Sequence, residues 1–169
     1  MSRTAESTIK GFLYQFQKTI ESILESSYDD TVTVEGIVED VDVVHLDGST
    51  TAIQCKYHES VEAFSTSLIY KPILQMAENY AANPRADISY KLFVHVPNQD
   101  VTSRSVTEEE LDAALGSTNA KLQPIINRIP NNFNKDDFLT KLRLEFGESI
   151  DELSISIKSL LSDIEISNS

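Results

Sequence analysis

The sequence predicts an α/β domain whose elements run helix, three strands, helix, strand, followed by helices and a closing strand and helix. Three observations carry that prediction. Apolar residues recur at three- and four-residue steps near the start, two β-branched runs flank Asp47-Gly48, and a compact apolar run from Ile88 to Val96 follows a second helical stretch. At 169 residues the chain is long enough for one domain with a full core and too short for two of ordinary size.

The first helix is expected over residues 7–24, where Ile9, Phe12, Leu13, Phe16, Ile20, Ile23 and Leu24 form an amphipathic stripe. Alternation in Thr31-Val32-Thr33-Val34-Glu35 reads as a strand, and residues 40–46 as a second. Asp47-Gly48 is a hairpin signal, returning the chain through a third strand at residues 51–57. Residues 64–80 are helical by pattern, with Ser65 or Ser67 as caps and Pro72 marking a kink or a later start. Tyr90, Leu92, Phe93 and Val94 give the next run the character of a buried central strand. Beyond Pro97, Thr107-Glu108-Glu109-Glu110 opens an acidic helix start, and a short helix ends before Pro130. The period-two pattern from Phe138 to Phe146 predicts a strand, and Ile150, Leu153, Ile157, Leu160, Leu161 and Ile164 a last amphipathic helix.

Bulk properties narrow the function classes. Cys55 is the only cysteine, which excludes an intramolecular disulfide and, with three scattered histidines, argues against a structural zinc site. No signal-peptide pattern opens the chain and no apolar run approaches the roughly 20 residues of a spanning helix, so a cytoplasmic protein away from membranes is expected. The net charge of −13 argues against a free-standing DNA binder, because DNA affinity rests on Lys and Arg displacing phosphate counterions. A nucleic-acid enzyme with this charge needs positive field from a bound ion, a partner protein or an attached segment.

One constellation carries chemistry. Phosphodiester hydrolysis needs an activated water and a stabilised leaving oxygen, which hard divalent ions held by carboxylates supply, with a lysine to offset growing charge on the phosphate. Asp40, Asp42, Gln54 and Lys56 have the types and spacing for this on two neighbouring strands. Residues two apart on a strand share a face, as do directly opposed residues of an antiparallel pair. A three-residue loop around Asp47-Gly48-Ser49 would set Asp42 opposite Gln54 and Asp40 opposite Lys56, with all four in one site. A two-residue loop would separate the pairs. Val41, Val43, Ile53 and Cys55 are left for the other, core-facing side, so no catalytic thiol is implied.

The run Gly11-Phe12-Leu13-Tyr14-Gln15, then Glu35, Glu39-Asp40-Val41-Asp42 and Ile53-Gln54-Cys55-Lys56-Tyr57, resembles the PD-(D/E)xK nuclease superfamily, most closely Mrr-like restriction enzymes and nuclease domains of bacterial anti-phage effectors. The resemblance covers about residues 8–97 of a single nuclease-like domain, with a C-terminal helical and βα extension over about 98–165. It implies a restriction-endonuclease-like αβββαβ core, a mixed central sheet flanked by helices. It also implies a Mg²⁺- or Mn²⁺-dependent DNA endonuclease, with RNA as an alternative substrate. Asp40 resembles the first metal-binding aspartate, with Asp42 as the competing candidate. Gln54 takes the place of the second acid, and Lys56 that of the catalytic lysine. Gln15 falls where a helix-one acid stands in Mrr-like enzymes, and Glu35 is a candidate extra carboxylate. Gln54 and Gln15 are neutral where the pattern has acids, which moves the charge onto Asp40, Asp42 or Glu35.

His58, just past Lys56, is a candidate phosphate contact or water-positioning group, against the ordinary alternative of a solvated strand end. His45 and His95 read as structural, and Lys71, Arg85 and Lys91 as single candidate phosphate contacts. Two functional classes follow: a nuclease effector working with a protein partner, an attached sensor or NTPase segment or a second copy of itself, and a nuclease-like fold serving as a binding or assembly module.

Overall fold

The computed structural model describes residues 3–36 and 38–167. Helix α1 (Arg3–Glu25) leads into strands β1 (Thr31–Val34), β2 (Val41–Val44) and β3 (Thr50–Tyr57), then helix α2 (Tyr70–Ala82) and strand β4 (Ile88–His95). Strand β5 (Thr102–Ser105), helices α3 (Glu108–Leu115), α4 (Gln123–Ile126) and α5 (Lys135–Lys141), strand β6 (Leu142–Phe146) and helix α6 (Ile150–Ser167) follow. The result is an α/β fold around one mixed six-stranded sheet in the order β1-β2-β3-β4-β6-β5. The β1–β2 and β2–β3 pairs are antiparallel, β3–β4 and β4–β6 parallel, and β5 runs antiparallel on the edge of β6.

Both sheet faces are covered. On one, Val41, Val43, Ile53, Cys55 and Phe93 pack with Tyr14 of α1 and Leu153 and Ile157 of α6. On the other, Ala52, Tyr90, Leu92, Val94 and Leu144 pack with α2, α3 and Phe138 of α5. Continuous burial of Leu92, Phe93 and Val94 in β4 follows from this two-sided cover, because a central parallel strand has no solvent face. Pro72 falls in the first turn of α2, where its missing N–H costs nothing, and a 3-10 turn at Thr66–Leu68 precedes that helix.

Two expectations are corrected. The strand expected over residues 138–146 begins only at Leu142, because residues 135–141 form α5. Asn134 caps that helix by accepting from the Asp137 N–H, and Asp136 and Asp137 favour its first turn. Phe138 is fully buried from this helix. Strand β5 was not expected at all, since Thr102-Ser103-Arg104-Ser105 is polar and mostly exposed, with no apolar alternation to signal it.

Helix α1 forms where the periodicity places it, but its apolar stripe does not face the sheet. Ile9, Phe12, Leu13, Phe16, Ile20 and Ile23 are exposed, while Gln15, Gln17, Lys18, Thr19, Glu21 and Ser22 are buried. Much of the inward polar side is tied down by specific contacts. Lys18 pairs with Glu21 and lies 4.3 Å over the Phe93 ring, Gln17 Nε2 donates to Ser154 Oγ at 2.6 Å, and Thr19 Oγ1 donates to the Gln15 carbonyl.

Gly147, at the turn from β6 into α6, has no room for a side chain. A Cβ there would stand 2.2 Å from Phe93 Cζ and 2.7 Å from the Tyr14 hydroxyl. Gly147→Ala is therefore expected to destabilise the protein by about 1–3 kcal/mol through overpacking, read as a lower urea midpoint at unchanged slope.

Candidate functional site

The β2–β3 hairpin decides which side chains meet. Val41 pairs with Ile53, Asp42 with Ala52, Val43 with Thr51 and Val44 with Thr50. His45 N–H donates to the Ser49 carbonyl, enclosing the odd loop Leu46-Asp47-Gly48, with Gly48 at φ +86°. The expected parity is therefore present, but the register is displaced by two residues: Asp42 lies opposite Ala52 and not Gln54. Asp42 and Gln54 share the α2-facing side, and both are nearly fully buried.

Asp40 departs from the expected strand. Strand β2 starts at Val41, so Asp40 sits in the bend before it, and its Oδ2 accepts the Cys55 N–H at 2.9 Å. The carboxylate thus caps the edge of β3 that β2 no longer covers. The four residues consequently do not all share one face. Asp40 and Lys56 line a groove of about 300 Å³ with Gln15, Phe12, Cys55 and His58, while Asp42 and Gln54 lie in the layer beneath α2.

Gln15 positions this edge. Its Nε2 donates to Glu35 Oε1 at 3.1 Å and to the Asp40 carbonyl at 3.3 Å, and Glu35 N–H donates to the same carbonyl at 2.8 Å. Glu35 holds a left-handed backbone at φ +50° that closes the turn after β1. Asp42 braces the loop from the other side, its oxygens accepting Val38 N–H at 2.9 Å and Glu39 N–H at 3.1 Å. Gly36 permits this close approach, since a Cβ there would fall 2.3 Å from Asp42 Cγ.

Glu39 is the site residue that the motif left unassigned. It is buried beside α2, and burial, then the negative charges of Asp40 and Asp42, push its carboxyl up from the ordinary 4.5 to about 8, with Lys56 acting against them. Glu39, Asp40, Asp42 and Lys56 therefore form one electrostatic group at the point where β2 leaves β3. The acidic run Glu39-Asp40-x-Asp42 was the sequence signal for it. Because its folded pKa lies above its unfolded one, the folded state holds a proton that the unfolded state has released. That contribution is complete below about 4.5 and lost as pH rises to about 8. In chelator-containing buffer stability is expected to fall over that window by up to about 1.4 kcal/mol per pH unit, read as a falling Tm, and Glu39→Gln to flatten the fall.

Other candidates fall into place around the groove. His58 lines it, its Nε2 is buried with no hydrogen-bond partner among the described residues, and burial, then Lys56 and His95, lower its pKa. The Gln54 Oε1 is likewise buried and unpartnered among the described residues. Cys55 is buried in the core and burial pushes its thiol up to about 12, in keeping with a packing role. His45, which showed no acid partner in sequence, lies 3.2 Å from Asp30. His95 stacks on Tyr57 at 4.9 Å. Lys71, Arg85 and Lys91 line no part of the groove, and Lys91 pairs with Glu145 at 3.2 Å.

Among the described residues, no three His, Cys, Asp or Glu side chains cluster as a metal site by themselves. Nor is any described helix long and apolar enough to cross a membrane. Comparison with protein-family models, with curated proteins and with solved structures found no match for this chain.

Proposed function

We propose that this chain is a metal-dependent nuclease domain of the PD-(D/E)xK kind, with a restriction-endonuclease-like core, that hydrolyses phosphodiester bonds in DNA as the effector part of a bacterial anti-phage protein or complex. The observation that carries the reading is the groove beside the start of β2, lined by Asp40, Lys56 and His58, with the charges of Asp40, Asp42 and Lys56 all acting on the buried Glu39. The sheet supports it too: helix, three strands, helix and strand follow one another on a mixed sheet, in keeping with the αβββαβ order of the resemblance.

The residues fit a hard divalent ion in charge and donor type. Burial first, and then the nearby charges of Asp40 and Asp42, keep a proton on Glu39 even with Lys56 acting against them, and Gln54 Oε1 is a buried oxygen without a partner among the described residues. Mg²⁺ needs only one or two carboxylates, with water completing its shell. Asp40, on the groove, is the carboxylate that would hold it, and the resemblance adds Asp42 and Gln54, which lie in the layer beneath α2. When bound, the ion would supply an activated water and charge for the leaving oxygen. The protein's own part begins with Lys56, whose ammonium offsets charge growing on a phosphate in the groove. Gln15 and Glu35 hold the backbone of Asp40 in place. His58, its pKa lowered, offers a neutral imidazole nitrogen to water or phosphate.

A second reading, a nuclease-like fold used for assembly, is favoured by one observation, the exposed apolar stripe of α1. Thermal melting separates the two. A resident ion site stabilises the fold by about 2.7 kcal/mol at a hundredfold excess over Kd, on the order of 5–10 °C here. Mn²⁺ or Mg²⁺ is expected to raise Tm in the wild type and not in Asp40→Asn. No shift in the wild type with either ion at millimolar concentration would leave only the assembly reading.

A further inference from the structure

The outward face of α1 is an ordered seam rather than a scatter of apolar residues. Ile9, Leu13, Phe16, Ile20 and Ile23 follow one another at steps of four, three, four and three, and Phe12 widens the stripe. A strict alternation of that kind has a period of 3.5 residues, the repeat that seats one helix against another with side chains interlocking. All six residues are between 44% and 55% exposed. At about 200 Å² per side chain the stripe offers ~600 Å², near the upper limit of apolar patches on monomers. With a polar rim it reaches the ~800 Å² per partner of a standard interface.

Charge points the same way. A chain of net charge −13 repels its own copies, yet the outward face is spared. Between Ile9 and Ile23 the charged residues are Lys10, Lys18 and Glu21, of which Lys18 and Glu21 are buried against the sheet and Lys10 is paired with Glu59. The seam therefore meets another copy of itself without like charges along it. Phe16 is the middle residue of the five. In an antiparallel, two-fold pairing it meets the partner's Phe16, with Ile9 against the partner's Ile23 and Leu13 against the partner's Ile20. Helix dipoles favour that antiparallel sense, and a two-fold axis makes the contact self-complementary and closed.

We infer that α1 is the interface of a homodimer, two copies of this chain packing their α1 seams antiparallel with Phe16 on the two-fold axis. A central aromatic anchor of this kind carries a large share of an interface's binding energy.

Sedimentation velocity over a concentration series tests it. The wild type is expected at twice the 18.9 kDa chain mass at micromolar concentration. Phe16→Glu is expected to raise the dimer dissociation constant at least ~30-fold while keeping the wild-type circular-dichroism spectrum, because the side chain it replaces is exposed. Phe16→Cys supplies a readout that needs no loss of folding: mild oxidation should give a disulfide-linked dimer, with native Cys55 buried away from the reaction. Two results would overturn the inference. One is a wild type that stays monomeric at every concentration, which would leave the stripe to another protein or another segment. The other is a dimer that survives Phe16→Glu and resists cross-linking through Phe16→Cys.

Discussion

Lys56→Ala is expected to lower phosphodiester cleavage by roughly 10²–10³-fold, the range seen when one preorganised stabiliser of a transition-state charge is removed. Lys56 sits half-buried at the end of β3 and lines the groove with Asp40 and His58. Its charge is also the one that acts against protonation of Glu39, so its loss leaves the acidic group less able to ionise. The fold should tolerate the change, because Lys56 is absent from both buried hydrophobic clusters. Steady-state cleavage and thermal melting on the same preparation check both halves. Lys56→Arg keeps the charge but not the compact ammonium and is expected to recover only part of the rate. An Ala variant that cuts at the wild-type rate would remove Lys56 from the chemistry.

Asp42→Ala is expected to cost stability first, on the order of 3 kcal/mol, because it strands the Val38 and Glu39 N–H groups inside the protein. At this chain length that corresponds to a fall in Tm of about 6–12 °C. Asp42→Asn keeps one acceptor oxygen and should lose about half as much. Urea denaturation of the two variants separates the structural duty of Asp42 from any part in holding an ion. If Asp42→Ala is as stable as the wild type, the loop is not braced in the way the hydrogen bonds imply.

Much of the fold could be read from the sequence because several elements carry a local signature. The Asp47-Gly48 turn, the alternation in β3 and the apolar run of β4 each specify a strand without reference to the rest of the chain. Helix α3 was legible for a similar reason: Thr107 and Glu110 cap its N-terminus reciprocally. What periodicity cannot supply is orientation. The spacing of Ile9, Leu13, Phe16, Ile20 and Ile23 shows that they share a face, but not that this face turns outward while Gln15, Gln17 and Lys18 turn in. Residues 138–141 were misread because Phe138 and Leu142 fit a helix step of four as well as a strand step of two, and the Asn134 cap lay outside the pattern. Strand β5 is held by pairing with β6 and not by its own composition.

The candidate site was legible in residue type and parity, and less so in detail. An odd hairpin loop was required and is present, which keeps Asp42 and Gln54 on one side. Asp40, however, lies one residue before the strand, so no strand-face argument governs it, and its carboxylate turns to the Cys55 N–H. Glu39 joins the group through burial beside α2, a tertiary fact with no local signature.

Incubation of supercoiled plasmid and of single-stranded RNA with the purified chain tests the central claim most directly, in Mg²⁺, in Mn²⁺ and in chelator. Nicked and then linear DNA is expected with either ion, intact DNA in chelator or with Lys56→Ala, and RNA cut more slowly than DNA. Plasmid and RNA both left intact by the wild type in both ions, at enzyme concentrations equal to substrate, would contradict it.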